Sequence, residues 1–415
     1  MTKLLPRLLL LTLLLIPGIG LHAQVITAVS VTGLKRTKPH VAEYPLKKFI
    51  RQDGMRIDFN EVHAAIAGTG ILEPISIGVG VAPDGDGMIL TVEVREKWAF
   101  LPLPLFSTDF NTIWSGGLGI MDNNVFGLND KFIVVGTYGN TGWFASVMYQ
   151  YTPEREHFPG WNIMGMYGRQ SVKDADQHKR SLRKYDQDII MGGLGIQYPV
   201  TELFTASTAV SLQQRSIQER DDSLNAPEND TLAVRINPSL EISRSNWDGY
   251  LLSQRRAKLD YTFMPALAAG SAEADLLHTL SLRGSYEKSI IPGFKAGIRG
   301  GIRYNPKANP IIESSAAAVL IDILPGTFSA QNYAGAAAGL EKYLFKFSQG
   351  TLAVLASYQA VYSYGPLLEH QFDHGVSGAL NLYLSRIAIP AAGFGVSYNV
   401  AKNEFAFGFN MGASF

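Results

Sequence analysis

The sequence contains few residues whose types and spacing could carry chemistry. Cysteine is absent, so a disulfide, a thiolate nucleophile and a cysteine-based metal site are all excluded. The chain has no Gly-x-Ser-x-Gly elbow and no Gly-Lys pair, which removes the usual hydrolase nucleophile and the phosphate-binding P-loop. We therefore predict no catalytic residue and no cofactor site, and the protein is not expected to be an enzyme.

One cluster has the composition of a metal site and consists of Glu369, His370, Asp373 and His374. On a helix, His370 and His374 would share a face and could ligate one ion. The cluster falls in a predicted outer loop, Ser363–His374, where this spacing loses its meaning. We predict two exposed loop histidines and no metal site.

The composition differs from that of ordinary soluble proteins. Lys+Arg and Asp+Glu both number 36, and this zero net charge argues against a nucleic-acid partner. Charged residues are 17% of the chain, against roughly 25% in soluble domains. Glycine, at 41 of 415 residues, and aromatics, at 11%, are abundant. These values exclude intrinsic disorder and favour a large β structure in an unusual solvent.

Residues 1–23 have the features of a secretory signal peptide. Lys3 and Arg7 precede an apolar stretch over Leu8–Leu21, and Ala23 fits a small-residue cleavage site. The stretch is shorter than the ~20 residues that a spanning helix needs, and Pro17 interrupts it. No later stretch could span as a helix, so we expect an exported chain that is either soluble or a β-barrel.

Residues 24–97 predict one small α+β domain. Asp58 is a predicted N-cap and Gly68 and Gly70 a predicted stop for the second of two helices. The predicted elements are a strand at Val25–Val31, helices at His40–Phe49 and Phe59–Ala67, and strands at Ile75–Val81 and Met88–Val94.

Residues 98–415 show period-two alternation and no convincing helix. In Phe294–Tyr304, for example, apolar residues alternate with Lys295, Arg299 and Arg303. Alternation over about 10 residues is typical of transmembrane β-strands, and this region holds roughly sixteen of them. We predict a membrane all-β fold, an antiparallel transmembrane barrel. A secreted β-sandwich also alternates but rarely needs more than about nine strands.

The predicted connections between strands alternate in length. Long polar links such as Gln170–Asp186 and Asn305–Asn332 follow odd strands, whereas short links such as Pro199–Phe204 and Ile290–Gly293 follow even ones. Outer-membrane barrels have long outer loops and short periplasmic turns. The asymmetry predicts a barrel in the outer membrane with the N-terminal domain in the periplasm.

Several segments together resemble one family. Val29–Gly33, Gly68–Ile71 and Leu90–Glu96 are similar to parts of a polypeptide-transport-associated (POTRA) domain. Gly116–Gly127 is similar to a second barrel strand with its first periplasmic turn. The C-terminal segment matches an outer-membrane targeting pattern through Met411, Ala413 and Phe415. In this order and spacing they resemble the BamA/TamA outer-membrane assembly superfamily, also called the bacterial surface-antigen family.

The resemblance implies a barrel that inserts or translocates polypeptides, with one POTRA domain that receives clients by β-augmentation. The implied partners are outer-membrane lipids, unfolded outer-membrane or surface protein clients and accessory periplasmic proteins. A passive pore or a structural barrel with a docking domain is the alternative. The family arrangement makes Ile75–Val81 an edge strand, with Ile75, Ile77, Val79 and Val81 on one face and small residues on the other.

The first and last barrel strands must pair to close the barrel. Pro102 and Pro104 lack the N–H that a ladder needs, and Gly408 and Gly412 would loosen the partner strand. These residues predict a weak lateral seam. Alternatively, the prolines face the second strand or lie below the membrane as a linker.

The sixth outer loop departs from the family. Family members carry an Arg-Gly-aromatic motif at its tip, whereas Asn305–Asn332 contains no Arg. The nearest match is Gly326 and Phe328, preceded by Pro325. We expect this loop to pack by apolar burial with Phe328 as its anchor, or to sit outside as a cap.

Overall fold

The computed structural model describes residues 25–82, 87–108, 113–151, 153, 158–175, 180–201, 203–221, 230–248, 251–269, 277–306, 323–324, 328, 330–347, 350–365, 368–384 and 390–411. The chain divides into two compact units. The first contains the residues up to Lys97 together with Phe126–Leu128, and the second contains the others from Trp98 onward. The predicted signal peptide lies outside the described residues.

The first unit is a small α+β domain with a three-stranded sheet. Its elements are β1 (Ile26–Thr32), α1 (Pro39–Glu43), a 3-10 helix (Tyr44–Phe49), α2 (Phe59–Ala67), β2 (Leu72–Val81) and β3 (Met88–Glu96). The sheet order is β1-β3-β2, with β1 parallel and β2 antiparallel to the central β3. One side of the sheet packs on the helices through fully buried residues that include Leu46, Phe49, Val62, Ile66 and Leu90.

The two helices begin and end for local reasons. The Asp58 carboxylate accepts a hydrogen bond from the Asn60 N–H (2.8 Å), so α2 begins where the sequence predicts. The predicted helix over His40–Phe49 is instead α1 followed by the 3-10 helix. Pro45 has no N–H for the carbonyl four residues earlier, so an α-helix cannot continue through it.

The second unit is a closed antiparallel barrel of sixteen strands, as predicted. The elements are β4 (Phe100–Thr108), β5 (Trp114–Val125), β6 (Asp130–Gly139), β7 (Gly142–Tyr151), β8 (Gly160–Ala175), β9 (Ser181–Pro199), β10 (Phe204–Arg220), β11 (Thr231–Asp248), β12 (Leu251–Met264), β13 (Ala266–Ala269), β14 (Leu277–Ile291), β15 (Phe294–Tyr304), β16 (Asn332–Phe347), β17 (Gly350–Gly365), β18 (Leu368–Leu384), β19 (Pro390–Asn399) and β20 (Glu404–Met411). β12 and β13 both pair with β11 and form one strand interrupted at Pro265.

Alternate residues of each strand face out of or into the barrel. On β15 the outward Ile298 and Ile302 are half exposed. The inward Lys295 contacts Glu287 (2.9 Å) and Glu341 (3.1 Å) from the neighbouring strands. An apolar outer face with ion pairs inside is the arrangement expected of a membrane barrel. Among the helices that the structure describes, none is long and apolar enough to cross a membrane.

Several strands run further than the sequence predicts. β17 extends to Gly365 and β18 begins at Leu368, so the predicted loop Ser363–His374 is wrong. His370 and His374 lie on β18, and each ring nitrogen contacts a hydroxyl group on β17, of Tyr362 and Tyr358 respectively. The described residues contain no cluster of three or more potential metal-ligating side chains.

Candidate functional site

The first candidate surface is the free edge of β2 in the α+β domain. The Ala82 N–H donates to the Gly87 carbonyl (3.0 Å), which shows which residues of β2 face β3. Because N–H and C=O groups alternate sides along an antiparallel strand, Gly78 and Gly80 bond to β3. The backbone groups of Ile77 and Val79 therefore point to the free edge, where the described residues provide no backbone partner.

The side chains of β2 do not all share the predicted face. Ile77 and Val79 pack against the core of the domain. Ile75 is displaced by a bulge between Pro74 and Ser76 and is 56% exposed. A bulge adds one residue to the strand and shifts the alternation that follows, so Ile75 is not aligned with Ile77. Val81 is also exposed, at the strand end.

The outer face of β2 is open. A Cβ added at Gly78 or Gly80 would meet no atom within 4 Å. β1, the other outer strand of the sheet, is partly covered: the Ile26 N–H donates to Gln52 (2.9 Å) and the Ile26 carbonyl accepts from Arg51 (2.8 Å). β2 is therefore the more accessible of the two edges.

The second candidate surface is the barrel seam between β4 and β20. The Asn123 N–H donates to the Ala99 carbonyl (3.0 Å), so odd-numbered residues of the first strand face β5. Pro102 and Pro104 are even-numbered, and their missing donors point away from β5, toward the side where β20 pairs. This geometry favours the seam interpretation over the alternative in which the prolines face the second strand.

Three described residue pairs join the two strands: Thr108 with Phe409, Ser107 with Asn410, and Phe106 with Met411. The rings of Phe106 and Phe409 lie 5.8 Å apart across the seam. A Cβ at Gly408 would lie 3.5 Å from the Thr108 carbonyl, an ordinary contact. Gly412, Ala413 and Phe415 lie outside the described residues, and Met411 is the last residue of β20.

The third candidate element is the connection between β15 and β16. Phe328 has no exposed surface and packs in a cluster with Ile323, Leu324, Ala330, Tyr333 and Val361. Its backbone forms a parallel bridge with Ala175 at the end of β8. The structure thus places Phe328 in a buried position, whereas Gly326 lies outside the described residues.

Two residues that the sequence does not connect with this loop complete the cluster. Lys402, in the turn between β19 and β20, places its Nζ 5.7 Å from the centre of the Phe328 ring and 3.3 Å from a carboxylate oxygen of Asp373. Asp373 is fully buried and also accepts from Asn399 (3.1 Å) and Gln371. A cation from the last hairpin therefore approaches the aromatic ring of a loop that has no Arg.

The α+β domain contains one further arrangement of charge. The Glu96 carboxylate, at the end of β3, accepts hydrogen bonds from the backbone N–H groups of Lys35 (2.9 Å), Arg36 (3.0 Å) and Thr37 (2.7 Å). Partial burial raises the pKa of Glu96, but the bonds from Thr37, Lys35 and Arg36 lower it more, and the net direction is downward. The contact holds the segment after β1 to the central strand.

Solved structures with this fold are known. CdiB from Escherichia coli is 11% identical, with a TM-score of 0.64 over 94% of this chain and 76% of that chain. CdiB from Acinetobacter baumannii is 12% identical, with a TM-score of 0.62 over 95% and 74%. BamA from Haemophilus ducreyi lacking POTRA domains 1–3 is 13% identical, with a TM-score of 0.56 over 94% and 84%.

Sequence comparison adds nothing to this likeness, because neither the protein-family models nor the curated proteins match the chain. At this low identity the structural likeness establishes the fold alone. The structural neighbours are BamA-type and CdiB barrels of sixteen strands, which confirms at the level of fold the resemblance to the BamA/TamA superfamily.

Proposed function

We propose that this protein is an outer-membrane barrel that inserts or translocates polypeptides. In this proposal its α+β domain is a periplasmic POTRA domain that receives clients by β-augmentation. The observation that carries the proposal is the pairing of a BamA-type barrel with a small domain whose β2 edge has no described backbone partner. The sequence has neither a Gly-x-Ser-x-Gly elbow nor a P-loop, and the proposal includes no enzymatic role.

Capture at β2 uses ordinary sheet chemistry. An extended client strand adds to an exposed edge through main-chain hydrogen bonds, and pockets for alternate side chains give specificity. Ile77 and Val79 offer the backbone groups for this pairing, and Gly78 and Gly80 leave the outer face flat. Since main-chain groups are the same in every polypeptide, this edge suits clients of varied sequence.

Release into the membrane would use the seam. Pro102 and Pro104 provide no donor on the β4 side that faces β20, beyond the three described residue pairs. A ladder that continued along this side would be weaker by roughly 1 kcal/mol per missing bond. When the seam opens, these positions expose no N–H that would remain unsatisfied in hydrocarbon. The prolines thus favour opening in two ways: they form no bond in the closed seam, and they leave no unsatisfied N–H in the open one. A client strand could then enter between β4 and β20.

Depletion of the protein in its own host tests the function. Loss of particular outer-membrane or surface proteins from the membrane fraction, with unchanged uptake of small solutes, supports polypeptide handling. Altered solute uptake with a normal membrane proteome would contradict it and favour the passive pore. Crosslinking through β2, followed by mass spectrometry, then identifies the clients and any accessory subunits.

A further inference from the structure

A row of basic side chains faces outward near one end of the barrel. Within the described residues of β11–β16 it consists of Arg244, Arg255, Lys288 and Lys342. Arg244 is directly opposite Arg255 on the neighbouring strand. This is the end with the short connections β14–β15 and β16–β17, from which the first barrel strand also starts.

The outward direction of Lys342 follows from its neighbours. Leu340 and Leu344, two residues before and after it, are 50% and 44% exposed on the apolar outer face. Glu341 between them faces inward and contacts Lys295 (3.1 Å). Lys342 therefore lies on the lipid-facing surface close to the end of its strand, where a long side chain can extend its ammonium to the headgroup level.

The basic groups at this end of the barrel lack acidic partners. Neither Lys342 nor Lys346 forms an ion pair with a carboxylate of the described residues, in contrast to the inward lysine Lys295. The Lys346 Nζ instead lies 5.0 Å from the centre of the Tyr343 ring, and the Arg255 guanidinium lies 5.1 Å from that of Tyr286. Cation–π contacts orient these groups without neutralising them.

A pocket of about 450 Å³ lies beside Lys342 and Lys346. The two lysines reach it from opposite sides of β16, because a bulge between Tyr343 and Phe345 places Lys346 opposite the buried Thr351. It is lined by Ile291, Pro292, Gly293, Phe294, Lys342, Tyr343 and Lys346. β16 pairs with β15 only as far as Lys342, opposite Phe294, and continues to Phe347 along β17. The step between the β14–β15 turn and the longer β16 creates the pocket.

The shape of the pocket depends on Gly293. Its φ of +77° is a conformation that favours glycine, and the Tyr343 N–H donates to its carbonyl (2.9 Å). An added Cβ would lie 2.9 Å from the Tyr343 ring. The turn is therefore held against Tyr343, and the apolar lining and the two ammonium groups keep a fixed arrangement.

We propose that this pocket binds the phosphate headgroup of an acidic phospholipid of the phosphatidylglycerol type, with the acyl chains along the apolar outer face. Charge complementarity supports this occupant, since four cations and no described acid face outward here, and Lys346 adds a basic group to the pocket lining. Continuity with the lipid-facing surface favours a lipid over a soluble anion. The inference takes from the proposed function only the membrane around the barrel, and its site is the periplasmic leaflet.

Native mass spectrometry of the mature chain in detergent tests this with two added lipids. Phosphatidylglycerol should be retained and phosphatidylcholine should not. The variant K342Q/K346Q should lower the affinity for phosphatidylglycerol roughly thirtyfold, because it removes two basic groups that contribute about 1 kcal/mol each. The variant K342R/K346R keeps both charges and should bind as the wild type does.

The matched control is K173Q/K184Q, which removes two exposed lysines that face each other on β8 and β9 near the opposite end. It should leave lipid binding unchanged. Equal retention of both lipids by the wild type, an equal loss in the control, or displacement of the lipid by excess inorganic phosphate would each overturn the proposal. If a variant fails to fold, the comparison of the two lipids on the wild-type chain still tests the proposal.

No client protein enters this assay, so its failure would leave the proposed polypeptide handling untouched. Conversely, a barrel that proves to be a passive pore could still bind phosphatidylglycerol here. The two proposals are therefore tested separately.

Discussion

Two strand edges of this protein could accept another polypeptide, and they differ in chemistry. The β2 edge presents the intact backbone of Ile77 and Val79, whereas the β4 edge lacks the donors of Pro102 and Pro104. An unpaired N–H in water is solvated, but in hydrocarbon it costs several kcal/mol. Under the proposed function, the free edge can therefore stay open permanently, while the seam would close between clients. The prolines lower the cost of its opening.

The two edges also differ in what holds them. Among the described residues no backbone partner lies beyond β2. The hairpin that ends in β20 is tied down through Lys402, which contacts the buried Asp373 and the Phe328 ring. A weak ladder at the seam thus coexists with a firm tertiary contact at the turn of the same hairpin. Four experiments test the seam, the Phe328 and Lys402 contact, the free edge of β2 and the Glu96 contact in turn.

The largest expected effect comes from closing the seam covalently. Ser107 and Asn410 are directly opposite, in a non-hydrogen-bonded pair whose Cα spacing of about 4.5 Å suits a disulfide. The variant S107C/N410C, oxidised in this cysteine-free chain, should abolish client assembly, and reduction should restore it. The measurement is the level of client proteins in the outer membrane of complemented cells.

A staple away from the seam provides the control. Ser357 and Ser377 are opposite each other on β17 and β18, with their hydroxyl oxygens 2.8 Å apart. S357C/S377C should form a disulfide without loss of activity. If S107C/N410C is fully crosslinked and client assembly continues, the lateral gate is wrong.

Removal of the buried anchor should have the next largest effect. Phe328→Ala leaves a cavity in a fully buried cluster and should lower the free energy of unfolding by about 3–5 kcal/mol. Lys402→Ala leaves the buried Asp373 carboxylate without its cationic partner and should cost a similar amount. Urea unfolding of the refolded barrel measures both changes.

Phe345→Ala, at an outward position that is well exposed, is the comparison for the loss of an aromatic ring. It should cost clearly less than Phe328→Ala. Equal losses would show that the Phe328 cluster contributes no more than lipid-facing surface does. A double variant F328A/K402A with additive losses would contradict the coupling of loop and hairpin.

More of the fold than of the candidate sites could be predicted from the sequence. Alternation and turn signals identify the sixteen strands, because each strand carries its own period-two pattern. The pattern fades where strands continue beyond the apolar zone, since both faces then meet water, and this is why β18 was predicted to begin late. The Lys402–Asp373 contact joins residues far apart in sequence, and no local signal reveals it.

The bulge at Ile75 teaches the same lesson on a smaller scale. The alternation of Ile75, Ile77, Val79 and Val81 looks unbroken in the sequence, yet the pairing of β2 shifts between Pro74 and Ser76. Alternation records residue types and not the register with a partner strand. The sequence could identify β2 as an edge strand, but not which of its residues lie in register with β3.

Proline substitution tests the free edge with a smaller expected effect. Ile77→Pro and Val79→Pro remove donors that face the free edge and should lower client crosslinking severalfold while the sheet remains folded. The crosslinks are formed from a photoreactive residue at Val81, which is 66% exposed.

Gly78→Pro removes a donor that faces β3 instead, and it should destabilise the domain. Ile77→Ala keeps its N–H and should retain crosslinking. Full crosslinking by a folded Ile77→Pro variant would show that clients bind elsewhere.

The smallest expected effect concerns Glu96, which supports the sheet without touching its free edge. Its carboxylate accepts three backbone N–H bonds, and these hold its pKa below the ordinary value of 4.5. A depressed pKa means that the bonds stabilise the domain above pH 4.5 and that this contribution is lost as the pH falls through the folded-state pKa. Glu96→Gln should therefore cost about 1 kcal/mol near neutral pH, a modest value for a partly exposed group, and progressively less in acid. Hydrogen exchange of residues 33–38 in the full chain, with wild type and variant compared at each pH, measures the difference. If the difference in hydrogen exchange between wild type and variant stays constant across the acidic range, the ionised carboxylate is not the cause of that difference. Client crosslinking at Val81 should remain unchanged in Glu96→Gln, since the edge donors of β2 stay in place.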